Sequence, residues 1–437
     1  MRVEILSFLE EDCLSPVSEI LQNPNGAVGR ALVYETPAPV EKTGVLFLSS
    51  AEEPGADTFI HTLIMRYLDR SRFDVHVAYS ADRPSASTPA FDVLKKIPNL
   101  RLRPFNFGPS LSGRSAAGKA AGVVQGLSTL AGFLGLARYV REHRIRIVHA
   151  TDRPRDAVSC ALLGKLSGAK SVIHAHLKCA DWMGRSLRWA MGQVDALAGV
   201  SEFVVQSLVD NGYAKDRTYA VLNAIELAAW DYRLDGRPVR RALGIADGAP
   251  VVACAARLFR GKGQDVLIRA LPAVRKEFPG VRLLIIGRDD RQAMRTSFAE
   301  ELKTLARELG VSDHVIFTGQ RSDMSALMAA CDVFALPSWE EPFGLVFCEA
   351  MAMKKPVIAL DSGGAREVVE HGRSGLLSSV GDGEALASNL RTLLRDADLR
   401  ARMGEYGRRE VESRFTPQRM AADTARMYAS LTTTVRR

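Results

Sequence analysis

The chain has 437 residues, 47% of them hydrophobic and 25% charged. This mix excludes a disordered or collagen-like polymer and supplies material for sizeable cores. The formal net charge is +8, but residues 101–200 hold 15 Lys/Arg against 5 Asp/Glu, so that segment is +10 and the remainder −2, which calls for an anionic partner such as a phosphate ligand or an acidic membrane surface.

Residues 1–43 find no place in a strand–helix rhythm and end in PAPVEKTG, a linker-like run. They read as an N-terminal extension. The opening MRVEILSFLEEDC carries three acids after a short apolar run and makes a poor secretory signal. Cys13, Cys160, Cys179, Cys254, Cys331 and Cys348 form no Cys-x-x-Cys pair, which predicts buried thiols in a reducing cytosol. The expected location is therefore cytoplasmic, with peripheral contact at the inner face of the membrane.

Short apolar runs then alternate with helical segments. The first set is 45–50, 75–79, 145–150, 171–176, 196–201 and 219–223. The second is 251–255, 281–287, 315–319, 333–337, 356–360 and 375–380. Such runs suit parallel strands buried on both faces. Two blocks of alternation predict an α/β protein of two Rossmann-like, doubly wound domains. Their predicted bounds are 44–235 and 236–415, with a final helix at 416–437. The uncharged run 120–137 contains four glycines and reads as a buried helix rather than a membrane span.

The second block carries the chemistry. ARLFRGKGQDVLIRAL (256–271) leaves a strand with Arg257 and loops through Gly261, Lys262 and Gly263 into a helix. Cations on such a loop are placed to meet a diphosphate; a solvated basic loop is the plainer alternative. In LPSWEEPFGLVFCEAMA, Glu341 and Glu349 stand eight apart around a Pro342-Phe343-Gly344 turn. The amides at the following helix start suit an anion. Glu349 on the helix flank suits sugar hydroxyls, and Glu341 suits the reactive part of a substrate or a favourable helix-start charge. Gly363-Gly364 permits close backbone approach to a ligand or makes a tight turn. Asp396-Ala397-Asp398 matches a short acidic metal signature but falls between helical patterns, and reads as a solvated helix end. No His/Asp/Glu group has persuasive metal spacing, so no metal or other cofactor is expected.

In order and spacing, ARL-x2-GKG, E-PFGLVFC-E, GGARE and SGLL resemble the retaining family-4 glycosyltransferases of the GT-B fold. The resemblance covers about 250–415 well and the first half more loosely, through AGVSEFVVQSLVDNGYAKDRTYAVLNAIE (198–226). It implies transfer of a sugar from a nucleoside diphosphate sugar, a UDP-sugar ahead of a GDP-sugar, to an acceptor hydroxyl. The acceptor would be a glycan, lipid or small molecule. Arg257 and Lys262 would hold the diphosphate and Glu349 the ribose. Glu341 and the amides around Phe343, Gly344 and Leu345 would hold the sugar and distal phosphate. Gly287, Arg288, Gln320 and Arg321 would border the base, with Gly363 and Gly364 near the donor.

The first half departs from the pattern. Its first loop, SSAEEPGADTF, offers only Gly55 where relatives carry a Gly-Gly pair. A histidine is expected near the fourth strand. His176 is favoured over His174 because it lies nearer the strand's C-terminal end, and His149 reads as structural. A nucleotide-sugar epimerase of the same architecture and a basic nucleic-acid binder are the rival readings. No nucleic-acid module or aromatic-interleaved basic patch supports the latter.

Overall fold

A computed structural model describes residues 16–22, 28–34, 42–80, 88–108, 118–289 and 297–433. Cys13 lies outside them. Strands β1 (Pro16–Gln22) and β2 (Val28–Tyr34) form an antiparallel pair separate from the larger sheets. The extension therefore contains strands that the sequence reading left unassigned.

The first large sheet is parallel throughout its described strands. It comprises β3 (Thr43–Ser49), β4 (Phe73–Ser80), β5 (Arg101–Phe105), β6 (Ile145–Thr151), β7 (Lys170–Ala175), β8 (Ala196–Gly199) and β9 (Thr218–Ala220), in the order β5-β4-β3-β6-β7-β8-β9. The second comprises β10 (Val251–Ala255), β11 (Arg282–Ile286), β12 (Val315–Gly319), β13 (Val333–Leu336), β14 (Val357–Leu360) and β15 (Gly375–Ser378). Its order is β12-β11-β10-β13-β14-β15, also parallel. These are the two Rossmann-like sheets the apolar runs predict. The sequence reading passed over β5, whose RLRPF alternates cations with apolar residues; as an edge strand it is not buried on both faces.

Strand order reverses between β3 and β6 in one sheet and between β10 and β13 in the other. A crevice opens at each reversal, beyond the C-terminal strand ends, and such crevices hold ligands. The loops there begin at Ser50, Asp152, Ala256 and Pro337.

Successive side chains of a strand face opposite sides of the sheet. Along β3, Val45 and Phe47 join one core with Ile60, Leu63 and Ile64 of the helix Ala56–Tyr67. Leu46 and Leu48 join another with Phe133, Leu136 and Cys160. The last helix, Pro417–Thr433, crosses back from the second sheet to the first, where Met420, Met427 and Tyr428 pack into the core of β3 and its neighbours.

The helix Gly118–Glu142 covers the predicted run but is not wholly buried. Phe133, Leu136, Ala137 and Val140 face the core, whereas Leu130 and Leu134 are each 55% exposed. Asp396 is an N-cap: its carboxylate accepts from Leu399 N at 2.7 Å. The described cysteines Cys160, Cys179, Cys254, Cys331 and Cys348 are buried free thiols.

Candidate functional site

A cleft of about 770 Å³ opens between the two sheets. Gly55, Asp57, Asp152, Arg153, His176 and Trp182 line it from the first. Arg257, Gly287, Arg288, Gln320, Arg321 and Glu349 are among those lining it from the second. Eight expected residues thus meet on one cavity: Gly55, His176, Arg257, Gly287, Arg288, Gln320, Arg321 and Glu349.

The second sheet's wall is knitted together by backbone. Ala256 N donates to Ile286 O (3.0 Å), Leu258 N to Arg288 O (2.9 Å) and Gly287 N to Gly319 O (3.0 Å). These bonds splice together the loops after β10, β11 and β12. Gly287 has φ +151°, and a Cβ there would lie 2.0 Å from Ala256 O. Only glycine lets the two loops approach this closely. Arg321 is paired with Asp323 at 2.7 Å.

Lys262, Glu341, Phe343, Gly344, Leu345, Gly363 and Gly364 do not line that cavity; they form a junction at the loops after β10, β13 and β14. Lys262 Nζ lies 2.6 Å from Glu341 Oε2, both side chains about 15% exposed. Phe343 is buried, edge-on to Phe415 at 5.5 Å, so its ring is a core anchor. The close approach expected of Gly363-Gly364 is real, but its object is the chain itself. Cβ atoms there would lie 2.7 Å from Glu341 O and 2.4 Å from Pro342 O, and Gly364 N donates to Glu341 O at 2.7 Å.

This turn also touches the first sheet's side. Ser201 Oγ donates to Pro342 O (2.6 Å) while accepting from Val204 N. The Glu367 carboxylate accepts from Glu202 N and Phe203 N at 2.8 and 2.6 Å. One side of the cleft thus caps a helix, Glu202–Asp210, of the other.

Glu349 stands half-buried on the flank of the helix Leu345–Ala352. Among the described residues no hydrogen bond or ion pair reaches its carboxylate, and burial pushes it up to about 7. Across the cleft, burial pushes Asp152 up to about 7 as well, against hydrogen bonds from His176 N and Leu177 N. Asp57 and Arg153 form a bidentate pair, and the guanidinium's hydrogen bond and charge outweigh burial and hold Asp57 below the usual carboxylate range. His176 borders the cleft, whereas His174 is fully buried. Asp57, Asp152 and Arg153 were missed in the sequence; their signal was position, directly after a strand or in a helix's first turn.

Arg141, Arg144 and Arg146 of the basic segment line a separate groove with Lys42 and Lys170. It sits at the N-terminal ends of β3, β6 and β7, the opposite sheet edge from the cleft. No helix among the described residues is long and apolar enough to cross a membrane.

Residues 237–410 match the model of the group 1 glycosyl transferases and residues 55–229 that of glycosyltransferase family 4. A GDP-mannose-dependent monoacylated alpha-(1-6)-phosphatidylinositol monomannoside mannosyltransferase of Corynebacterium glutamicum is 34% identical over 298 residues, which cover 64% of this chain and 75% of that protein. The chain belongs to glycosyltransferase family 4. Another family member, a GDP-mannose-dependent alpha-(1-6)-phosphatidylinositol monomannoside mannosyltransferase of Mycobacterium tuberculosis, is 38% identical over 185 residues, 40% of this chain. That match spans only 46% of the relative's length. Among solved structures, HepE of Anabaena in complex with UDP has a TM-score of 0.72 at 25% identity, covering 89% of this chain and 100% of that one. The GT-B architecture of this family-4 chain accounts for the two facing sheets and the helix that crosses back.

Proposed function

We propose that the protein transfers a hexose from a nucleoside diphosphate sugar to an acceptor hydroxyl, with retention and without a divalent metal, in glycolipid or glycoconjugate synthesis. The observation that carries this is the single cleft fed by both topological reversals, with Arg257, Arg288 and Glu349 on one wall and His176 and Arg153 on the other.

In this reading Glu349 accepts from the ribose hydroxyls. Arg257 meets the diphosphate from the cleft wall, and Lys262, paired with Glu341, and the amides after Gly344 reach it from the adjoining junction. The bond from the anomeric carbon to the phosphate oxygen breaks, and charge builds on that oxygen. Fixed cations and amides stabilise the charge more in the transition state than in the ground state. The acceptor oxygen bonds to the same face of the sugar, and its proton passes to a donor phosphate oxygen. His176 and Glu341 orient the sugar.

The family resemblance, rather than any residue, puts a UDP-sugar first. The names of the mannosyltransferase relatives move the first choice to GDP-mannose. The HepE complexes with UDP and UDP-glucose support a uridine nucleotide as the second reading. Melting the protein with GDP, UDP and their sugars separates the two, since a ligand at 100 times its Kd adds about 2.7 kcal/mol of stability. A shift with neither nucleotide would remove the donor assignment. Transfer should also persist in excess EDTA; complete loss restored by magnesium or manganese would overturn the metal-free reading.

A further inference from the structure

Beneath the cleft, on the β3 face that carries the crossing helix, four histidines converge. His61 comes from the helix Ala56–Tyr67, His149 from β6, His174 from β7, and His176 from just past β7. Their rings stand 4.6–5.7 Å apart for the pairs 61/149, 61/174, 61/176, 149/174 and 174/176. His61 is 3% exposed, and His149 and His174 are fully buried.

We propose that His61, His149 and His174 bind a divalent transition ion, zinc by preference, at a site separate from the donor cleft. One ligand nitrogen from each of the three lies within 4.8 Å of the others. Nε2 of His61, Nε2 of His149 and a ring nitrogen of His174 are buried without a hydrogen-bond partner. Orphaned buried polar atoms are costly, and native proteins leave few. Several orphans aimed at one point are accounted for together by an ion. An inward shift of under about 1 Å per ring brings the nitrogens to a zinc–imidazole bond length of about 2.0–2.1 Å.

The surroundings suit a ligand set. The Tyr428 hydroxyl lies 2.5 Å from His149 Nδ1, which fixes the ring and leaves Nε2 facing the cluster, as outer partners of metal-binding histidines do. His176 lies beside the group but borders the cleft and is not one of the three, so the fourth position is left to water. An all-imidazole set with no thiolate suits zinc, copper or nickel rather than magnesium or calcium. Zinc has no d-electron demand on geometry and accepts a tetrahedral set. No short motif announces this group, because 61, 149 and 174 are brought together only by the sheet.

The test uses the full-length protein expressed with zinc, freed of loose metal by gel filtration and assayed for bound metal by mass spectrometry. Stoichiometric zinc is expected, together with a higher melting temperature than the chelator-stripped protein. Cobalt loaded into the stripped protein should give the strong visible bands of a tetrahedral site. His149→Gln and His174→Gln should lose the zinc; if either fails to fold, the cobalt spectrum of the wild-type protein decides. Wild-type protein that retains no zinc and gives no cobalt bands overturns the proposal. So does zinc retained undiminished by both folded variants.

Discussion

Glu341 and Glu349 are the same residue type, eight apart, in opposite circumstances. Glu341 is locked to Lys262, whereas Glu349 has burial without a partner. On the proposed reading Glu349 meets the ribose, which does not change during reaction, so Glu349→Gln should weaken bare nucleotide and raise donor KM. Losing a charged hydrogen bond costs about 1.5–3 kcal/mol, or roughly 10- to 150-fold. Glu341→Gln should spare nucleotide binding and lower kcat. Calorimetry with the bare nucleotide checks both, and the reverse pattern would exchange the two roles. Burial also gives Glu349 a pH signature. With its carboxyl raised to about 7, the folded protein holds a proton that the unfolded chain has lost above about 4.5. Stability from this group therefore falls as pH rises from 4.5 towards 7, and the penalty is constant above that. Glu349→Gln should melt higher than wild type at pH 8, with the difference absent near pH 4. Ribose hydroxyls donating to the carboxylate would lower its pKa, so donor affinity should rise with pH through 7 and release a proton. Titration in buffers of different ionisation enthalpy measures that release, and the Gln variant should show none.

Single elements differ in how openly the chain announces them. Strands such as VVACA and VFAL were legible because a parallel strand covered on both faces is apolar throughout. RLRPF was hidden because an edge strand need not be. The Arg257 loop and the Glu341–Gly344 turn were legible because glycine and charge cluster there. The histidine group was not, because it spans three elements. The helix Gly118–Glu142 was read as buried from its lack of charge, yet Leu130 and Leu134 project outward one turn apart, with Arg138, ion-paired to Glu142, another turn along. We propose that this exposed apolar pair touches an anionic membrane together with cations of the basic segment, each of which adds about 1 kcal/mol near such a surface. Leu130→Asp with Leu134→Asp should reduce sedimentation with anionic liposomes at unchanged melting temperature; unchanged sedimentation would remove the helix from that role. The crossing helix offers a stability test. Tyr428→Phe keeps the ring but leaves His149 Nδ1 without its partner, a loss of about 1–3 kcal/mol. Denaturant unfolding at neutral pH should show it.

The two large sheets are joined by two passages of chain, one between β9 and β10 and one into the final helix. The passages are tied to each other. Ile225 N donates to Phe415 O at 3.1 Å, and Arg408 Nη1 donates to Trp230 O at 3.1 Å. Two tethers running side by side behave as the pin of a hinge. Such a pair of tethers resists twisting about the long axis and sliding of one half past the other, and the Ser201–Pro342 and Glu367 contacts hold the two halves together at the turn. The same arrangement makes one tether expendable for cohesion. A protease cut in the exposed stretch around Asp231–Asp235 should leave two fragments that migrate together through gel filtration and part only in denaturant.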